Sequence, residues 1–262
     1  MSFSFAVTAY NELSEEGRHG DFILRCIRPA QEHPAIDEIV VVDDSPSDEG
    51  LGAFLDGQAK VQFFRNPQNL GVFGNKLEAV ARCRGDWVIN CDSDNFMDRA
   101  YLDSVIAHAQ LGDTWISASF ARPEFDYRGL TGLWSRENLR ELLSRPRAGC
   151  LLNTGNQTVY RPAFMELFER VRGLRPDLLM PNWLNIPDDQ RPAHHWRLVF
   201  DALDSTIYNM IWLRAGNRIR VVEGLEYDHH YSSGADSNYS RAPRDKDRLS
   251  DVLLRELEQL AR

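Results

Sequence analysis

The 262-residue chain contains no apolar run approaching the ~20 residues that a membrane-spanning helix needs. Its opening, MSFSFAVTAYNELSEEG, has neither the basic segment nor the long apolar stretch of a secretory signal. These absences predict a cytoplasmic chain with no transmembrane segment, for which peripheral membrane contact stays open. Cysteine is sparse: Cys26, Cys83, Cys91 and Cys150 stand singly, without C-x-x-C spacing, which argues against zinc and disulfide frameworks and predicts reduced, buried thiols. No G-x-G-x-x-G follows the first apolar segment, which disfavours a dinucleotide-linked oxidoreductase. Positive charge is not in excess either: the formal net charge is −9, whereas a general nucleic-acid binder needs a basic face to displace phosphate counterions.

What is present belongs to a folded protein. Apolar residues make up 43%, aromatic 10% and charged 26%, enough branched and aromatic surface to offset ordering entropy. The length suits one α/β domain over residues 1–262, with a first half to residue 96 and an elaborated second half from 97. Short apolar runs alternate with longer amphipathic ones, the pattern of βαβ units feeding a parallel sheet. Strands are predicted at Phe3–Thr8, Glu38–Val42, Val61–Arg65 and Trp87–Cys91, with helices at Asp21–Glu32, which Pro29 should end or kink, and Gly71–Cys83.

Polar residues gather where these strands stop: Asn11-Glu12, Asp43-Asp44, Asn66 to Gly71, and Asp92-Ser93-Asp94. Carboxyl ends of parallel strands share one edge, so the four clusters should meet at one crevice. Asp92 and Asp94 are spaced to hold a hard divalent cation while leaving room for phosphate oxygens and water. An Asx turn or a helix cap uses the same residues, and Tyr10 as a packed aromatic or Asn69–Gly71 as a cap are the plain alternatives.

Farther on, helices are expected at Asp98–Gln110, Glu137–Ser144 and Asp201–Ala215, a helix from Arg161-Pro162 through Arg172, and strands at Thr114–Ala121, Leu151–Tyr160 and Arg218–Glu223. The proline-rich stretch Gly173 to Trp196 reads as a functional loop, Ser232 to Arg244 as a lid, and Lys246 to Leu260 as a helix with a leucine stripe. Trp134, Trp183 and Trp196 lie in irregular segments, where a ring could support a sugar face or simply fill core.

The order of motifs resembles the inverting family-2 glycosyltransferases, whose fold is the GT-A type. Val7-Thr8-Ala9-Tyr10-Asn11-Glu12 is similar to the family's opening strand and loop, and Val41-Val42-Asp43-Asp44-Ser45-Pro46-Ser47-Asp48 to its V-D-D-x-S-x-D turn. Asn69-Leu70-Gly71 with Asn75-Lys76 resembles its N-x-G helix entry, and Gly85-Asp86-Trp87 leading to Asp92-Ser93-Asp94-Asn95 its strand ending in D-x-D. The resemblance implies a donor nucleoside-diphosphate sugar, UDP- or GDP-linked, contacted by Thr8, Tyr10, Asn11, Asp43, Asp44, Asn69, Lys76, Asp92 and Ser93. It implies Mn2+ or Mg2+ on Asp94 and Asp92, with His229 or His230 as a further ligand.

In the second half, Leu152 to Gln157 resembles the segment beneath a saccharide or glycolipid acceptor, which implies acceptor contacts at Asn153 and Gly155; Trp183 is an acceptor candidate only by its flat ring. Asp201-Ala202-Leu203-Asp204 resembles the position of the catalytic base; both carboxylates share a helical face and either can serve, or cap the helix. The pathway implied is cell-surface polysaccharide or glycolipid assembly. Two rival readings are a sugar-phosphate nucleotidyltransferase, disfavoured by the missing glycine-rich phosphate loop, and a non-catalytic nucleotide-sugar-binding subunit.

Overall fold

The computed structural model describes residues 1–13, 20–47, 50–109, 114–123, 125–146, 156–168 and 204–230. The four predicted strands and two predicted helices of the first half are present, with one short helix, α2, that was not expected: β1 (Phe3–Ala9), α1 (Asp21–Glu32), β2 (Ile36–Asp43), α2 (Leu51–Phe54), β3 (Val61–Arg65), α3 (Gly71–Arg82) and β4 (Trp87–Asp92). Then follow α4 (Arg99–His108), β5 (Thr114–Arg122), β6 (Phe125–Asp126), β7 (Gly132–Trp134), α5 (Leu139–Ser144), β8 (Thr158–Tyr160), α6 (Arg161–Phe168), α7 (Asp204–Arg214) and β9 (Arg218–Asp228).

These strands form one nine-stranded sheet in the order β3-β2-β1-β4-β8-β5-β9-β7, with β6 beside β5. Strands β3, β2, β1 and β4 are parallel, β5 and β9 are parallel to each other, and β8, β7 and β6 run antiparallel to their neighbours. The first crossovers build outward from β1 through β2 to β3, and the chain then returns to place β4 on the other side of β1. That reversal opens a crevice at the carboxyl ends of β1 and β4.

The unbroken aliphatic run of β2 is explained by burial on both faces. Val40 and Val42, with Ala6 and Val88 of the neighbouring strands, face the core shared with α3, α5, α6 and α7. Ile39 and Val41, with Phe5, Val7 and Ile89, face the core shared with α1, α2 and α4. Side chains alternate along a strand, so each face takes every second residue, and each fully buried aliphatic contributes roughly 1.5–3 kcal/mol. Cys26, Cys83 and Cys91 are buried free thiols, as expected; Cys150 lies outside the described residues.

Three local expectations need correction. Pro29 does not end α1, which continues to Glu32; Cys26, Ile27 and Ala30 are wholly buried, and that packing outweighs the backbone hydrogen bond proline cannot make. The last strand does not stop at Glu223. Gly224 takes φ 72°, and the β5 register shifts between Ala118 and Phe120, so pairing resumes at Phe120 with Glu226 and reaches Arg122 with Asp228. The segment around Trp134, read as irregular, contains β6 and β7. In it Trp134 is core: it is 3% exposed and its indole donates to Leu130 O at 2.7 Å. The expected strand from Leu151 is seen over Thr158–Tyr160, and the expected helix from Asp201 over Asp204–Arg214; residues 151–155 and 201–203 lie outside the described residues, as do the proline-rich loop, the lid and the C-terminal helix.

Candidate active site

Thr8 and Asp92 are register partners on β1 and β4, at the point where the strand order reverses. The Thr8 hydroxyl donates to Asp92 Oδ1 at 2.8 Å, and Lys76 Nζ, from α3, lies 3.3 Å from the same oxygen. Lys76 also donates to Asp204 Oδ2 at 2.8 Å, so one buried ammonium joins the end of β4 to the start of α7. Burial alone would lower the Lys76 pKa, but the Asp204 and then the Asp92 carboxylate overcome it and hold the pKa above the ordinary lysine value. A threonine, two carboxylates and a lysine drawn from four elements thus share one hydrogen-bonded array.

The turn after β4 is built to present its acids. Ser93 N donates to Thr8 O at 3.0 Å and Asn95 N to Asp92 O at 2.9 Å, while the Ser93 side chain turns inward to a hydrogen bond with buried Glu12. Asp92 and Asp94, on either side, remain half-buried at the cleft. These are hard oxygen donors of the kind that Mg2+ or Mn2+ takes, with space for phosphate oxygens or water as the remaining ligands. The donor set fits such a cation.

His229 and His230 come to the same edge through backbone pairing. Phe96 and Asp228 exchange hydrogen bonds of 2.9 and 3.0 Å, and His230 N donates to Asn95 Oδ1 at 2.9 Å. The His230 ring lies 4.7 Å from that of Phe22, and His229 packs edge-on to Phe125 at 5.0 Å. Among the described residues no three His, Cys, Asp or Glu side chains gather at ligand spacing, so the histidines adjoin the carboxylate turn without completing a protein cage.

The remaining expected site residues divide into cleft wall and frame. Tyr10 is 48% exposed directly beyond β1, so it is not a packed core aromatic. Asn11 has φ 55° and its N–H donates to Ser45 Oγ at 2.8 Å. Asp44 is turned to the fold: Oδ1 accepts from Leu70 N at 2.7 Å and Asn66 Nδ2 at 2.8 Å, and Oδ2 accepts from Gly71 N at 2.8 Å. A carboxylate at the start of α3 satisfies its first N–H groups and complements the helix dipole. Asn69 donates to Asp44 O at 2.6 Å, and Gly71 sits at φ 77°, which explains why the N-x-G entry needs glycine there. Asp43 accepts from Ser45 N at 3.0 Å and from Arg65 Nη1 at 3.0 Å.

Arg65, Asn75 and Asn156 were not anticipated as site residues. Arg65 is the register partner of Asp43 across β2 and β3, Asn75 shares Asn66 with Asp44, and Asn156 Oδ1 accepts from Asp92 N at 2.8 Å. The neighbouring motifs mark Asn75 and Asn156, but nothing local to the sequence marks Arg65. Asp201, Asn153, Gly155 and Trp183 lie outside the described residues.

Comparison with known proteins agrees with this geometry. The profile of glycosyl transferase family 2 matches residues 4–172. No curated protein matches the chain. Among solved structures, S. aureus TarS 1–349 aligns with a TM-score of 0.57 at 16% identity, covering 100% of this chain and 69% of that one. The same protein in complex with UDP-GlcNAc gives a TM-score of 0.62 at 16% identity, with 100% and 70% covered, and in complex with UDP 0.56 at 16%, with 100% and 70% covered. Likeness at that identity establishes the fold, a GT-A arrangement. With the family profile extending over more than half its length, the chain belongs to glycosyl transferase family 2 and is a glycosyltransferase.

Proposed function

We propose that this glycosyltransferase moves a sugar from a nucleoside-diphosphate sugar to an acceptor hydroxyl with inversion, assisted by Mn2+ or Mg2+. The observation that carries the reading is the Thr8, Asp92, Lys76 and Asp204 array beside the Asp92-Ser93-Asp94 turn, at the strand-order reversal of the sheet. UDP-linked sugars are the first donors to test, because TarS of S. aureus, similar in fold, is described in complex with UDP-GlcNAc. Cell-surface polysaccharide or glycolipid assembly is the pathway we assign it.

In this scheme Tyr10 offers an exposed face for the base to stack on, and Lys76 brings positive charge to the diphosphate side of the cleft. The cation, held by Asp94 with Asp92 beside it, would supply charge stabilisation for the departing diphosphate. The acceptor oxygen attacks the anomeric carbon from the face opposite the nucleotide, the carbon–oxygen bond to the diphosphate breaks with its electron pair on the phosphate oxygen, and the hydroxyl proton passes to a carboxylate. Asp204 Oδ2 is held by Lys76 and Oδ1 accepts from the Ser205 hydroxyl at 3.2 Å, so we assign the proton to Asp201 and give Asp204 the task of fixing Lys76. Asp201→Asn should then cost two to four powers of ten in turnover, roughly what general-base catalysis is worth, with donor affinity kept.

The testing experiment is a thermal-shift screen of UDP, GDP and other nucleoside diphosphates with and without Mn2+. A ligand bound only by the folded chain raises its melting temperature by mass action. A shift with UDP or GDP that grows with Mn2+ supports the reading; no shift with any nucleotide contradicts it.

A further inference from the structure

Beneath the array, the sheet carries a polar row that the catalytic scheme does not use. Ile89 on β4 and Ile116 on β5 are both register partners of Thr158 on β8, so the next positions, Asn90, Gln157 and Ser117, stand side by side across three strands. Asn90 N donates to Gln157 O at 2.9 Å, which fixes that alignment. Their side chains share a face with Val88, Val159 and Trp115, one alternation away, which line the core under α3 and α7. The row therefore lies between an apolar layer and the cleft, about 7 Å along the strand from Asp92.

All three residues are buried, at 8%, 3% and 0% exposure. Asn90 Oδ1, Gln157 Nε2 and Ser117 Oγ have no hydrogen-bond partner among the described residues. Buried polar groups are nearly always paired, because leaving one unpaired forfeits its hydration without compensation. Three in one row, on three strands, point to a shared partner that is not part of the chain's own core. Helix α7 packs on the same face of the sheet, at Trp115. It starts at Asp204, bonded to Lys76, and its Tyr208 and Trp212 rings pack 6.3 and 5.2 Å from Trp115. Between those contacts along the helix, Thr206 and Asn209 are buried.

We infer that Asn90, Gln157 and Ser117 form the floor of a subsite for the sugar ring carried by the nucleotide, and help to set which sugar is accepted. The inference rests on the nucleotide-sugar reading above. The row holds amides and a hydroxyl but no charge, which matches ring hydroxyls and an N-acyl group, each able to donate and accept, and not a carboxylate or phosphate. Its depth below Asp92 matches a ring attached to a diphosphate at the D-x-D turn. A site built to bond hydroxyls discriminates strongly, since a sugar without the matching group leaves the buried amide unpaired.

The test compares UDP with UDP-GlcNAc, UDP-glucose and UDP-galactose by calorimetry, on wild type and on Asn90→Leu, Gln157→Met and Ser117→Ala. Each replacement keeps approximate size and removes the polar group; Ser117→Ala disturbs packing least and keeps the test open should a larger replacement fail to fold. The expected result is unchanged UDP affinity in every folded variant, with roughly tenfold weaker binding of the preferred UDP-sugar, the loss of about one hydrogen bond. If UDP and UDP-sugar affinities keep their wild-type ratio in all folded variants, the row holds only internal water and the proposal is overturned. If wild type binds no UDP compound at all, the nucleotide-sugar reading fails first and takes this inference with it.

Discussion

Replacing Lys76 with methionine tests the array through stability. Lys76 is 6% exposed and its ammonium lies 2.8 Å from Asp204 Oδ2. At an effective dielectric near 20, two charges at that separation attract by about 6 kcal/mol, most of it offset by the cost of burying both ions. Lys76→Met removes the attraction but leaves Asp204, 9% exposed, as a buried charge without its cation. Breaking one side of such a pair costs about 3–5 kcal/mol. Asp92 suffers less, because its side chain is 30% exposed. The assay is equilibrium unfolding in urea followed by tryptophan fluorescence, with a parallel melting temperature expected to drop on the order of 10 °C. Lys76→Met with Asp204→Leu should recover most of the loss, since the double variant buries no charge. A single variant within about 1 kcal/mol of wild type, or a double variant weaker than the single, would refute the reasoning.

Three further outcomes are expected. Burial works to raise the Glu38 pKa, but the Ser4 hydroxyl and the backbone and side chain of Arg84 hold it below the ordinary value. Its stabilising contribution is therefore complete above the unfolded pKa near 4.3 and is lost as pH falls through the lower folded value; urea midpoints should show a steep acid loss in wild type and a shallower one in Glu38→Gln. Gly71→Ala, at φ 77°, should cost roughly 1–2 kcal/mol of unfolding free energy, and an unchanged denaturation midpoint would show that the turn tolerates a side chain. Tyr10→Ala should leave the melting temperature unchanged, because the ring is 48% exposed, while UDP affinity measured by calorimetry falls by ~1–3 kcal/mol.

Much of the first half could be read from the residues, because short aliphatic strands separated by amphipathic helices leave few alternatives to a parallel sheet. The polar residues at the strand ends then had to share an edge, and Thr8 beside Asp92 is that expectation realised. What could not be read depends on register and on long-range contact. Arg65 meets Asp43 only through the pairing of β2 with β3, and Lys76 reaches Asp204 across 128 residues. Asp44 carried the right motif, yet its carboxylate oxygens serve α3, because an unpaired helix start is satisfied by the nearest acid whatever else the motif suggests. Pro29 is carried inside α1, and the last strand runs past Gly224, for one reason: packing around α1 and a bulge between β5 and β9 absorb what local propensity would forbid.

The most direct measurement is UDP release from UDP-linked sugars by the purified chain, with and without Mn2+, in wild type and Asp94→Ala. The account predicts release that depends on the cation, rises when a saccharide acceptor is added, and is lost in Asp94→Ala although that variant melts like wild type. Release that is equal with and without Mn2+ and equal in the two proteins would contradict it.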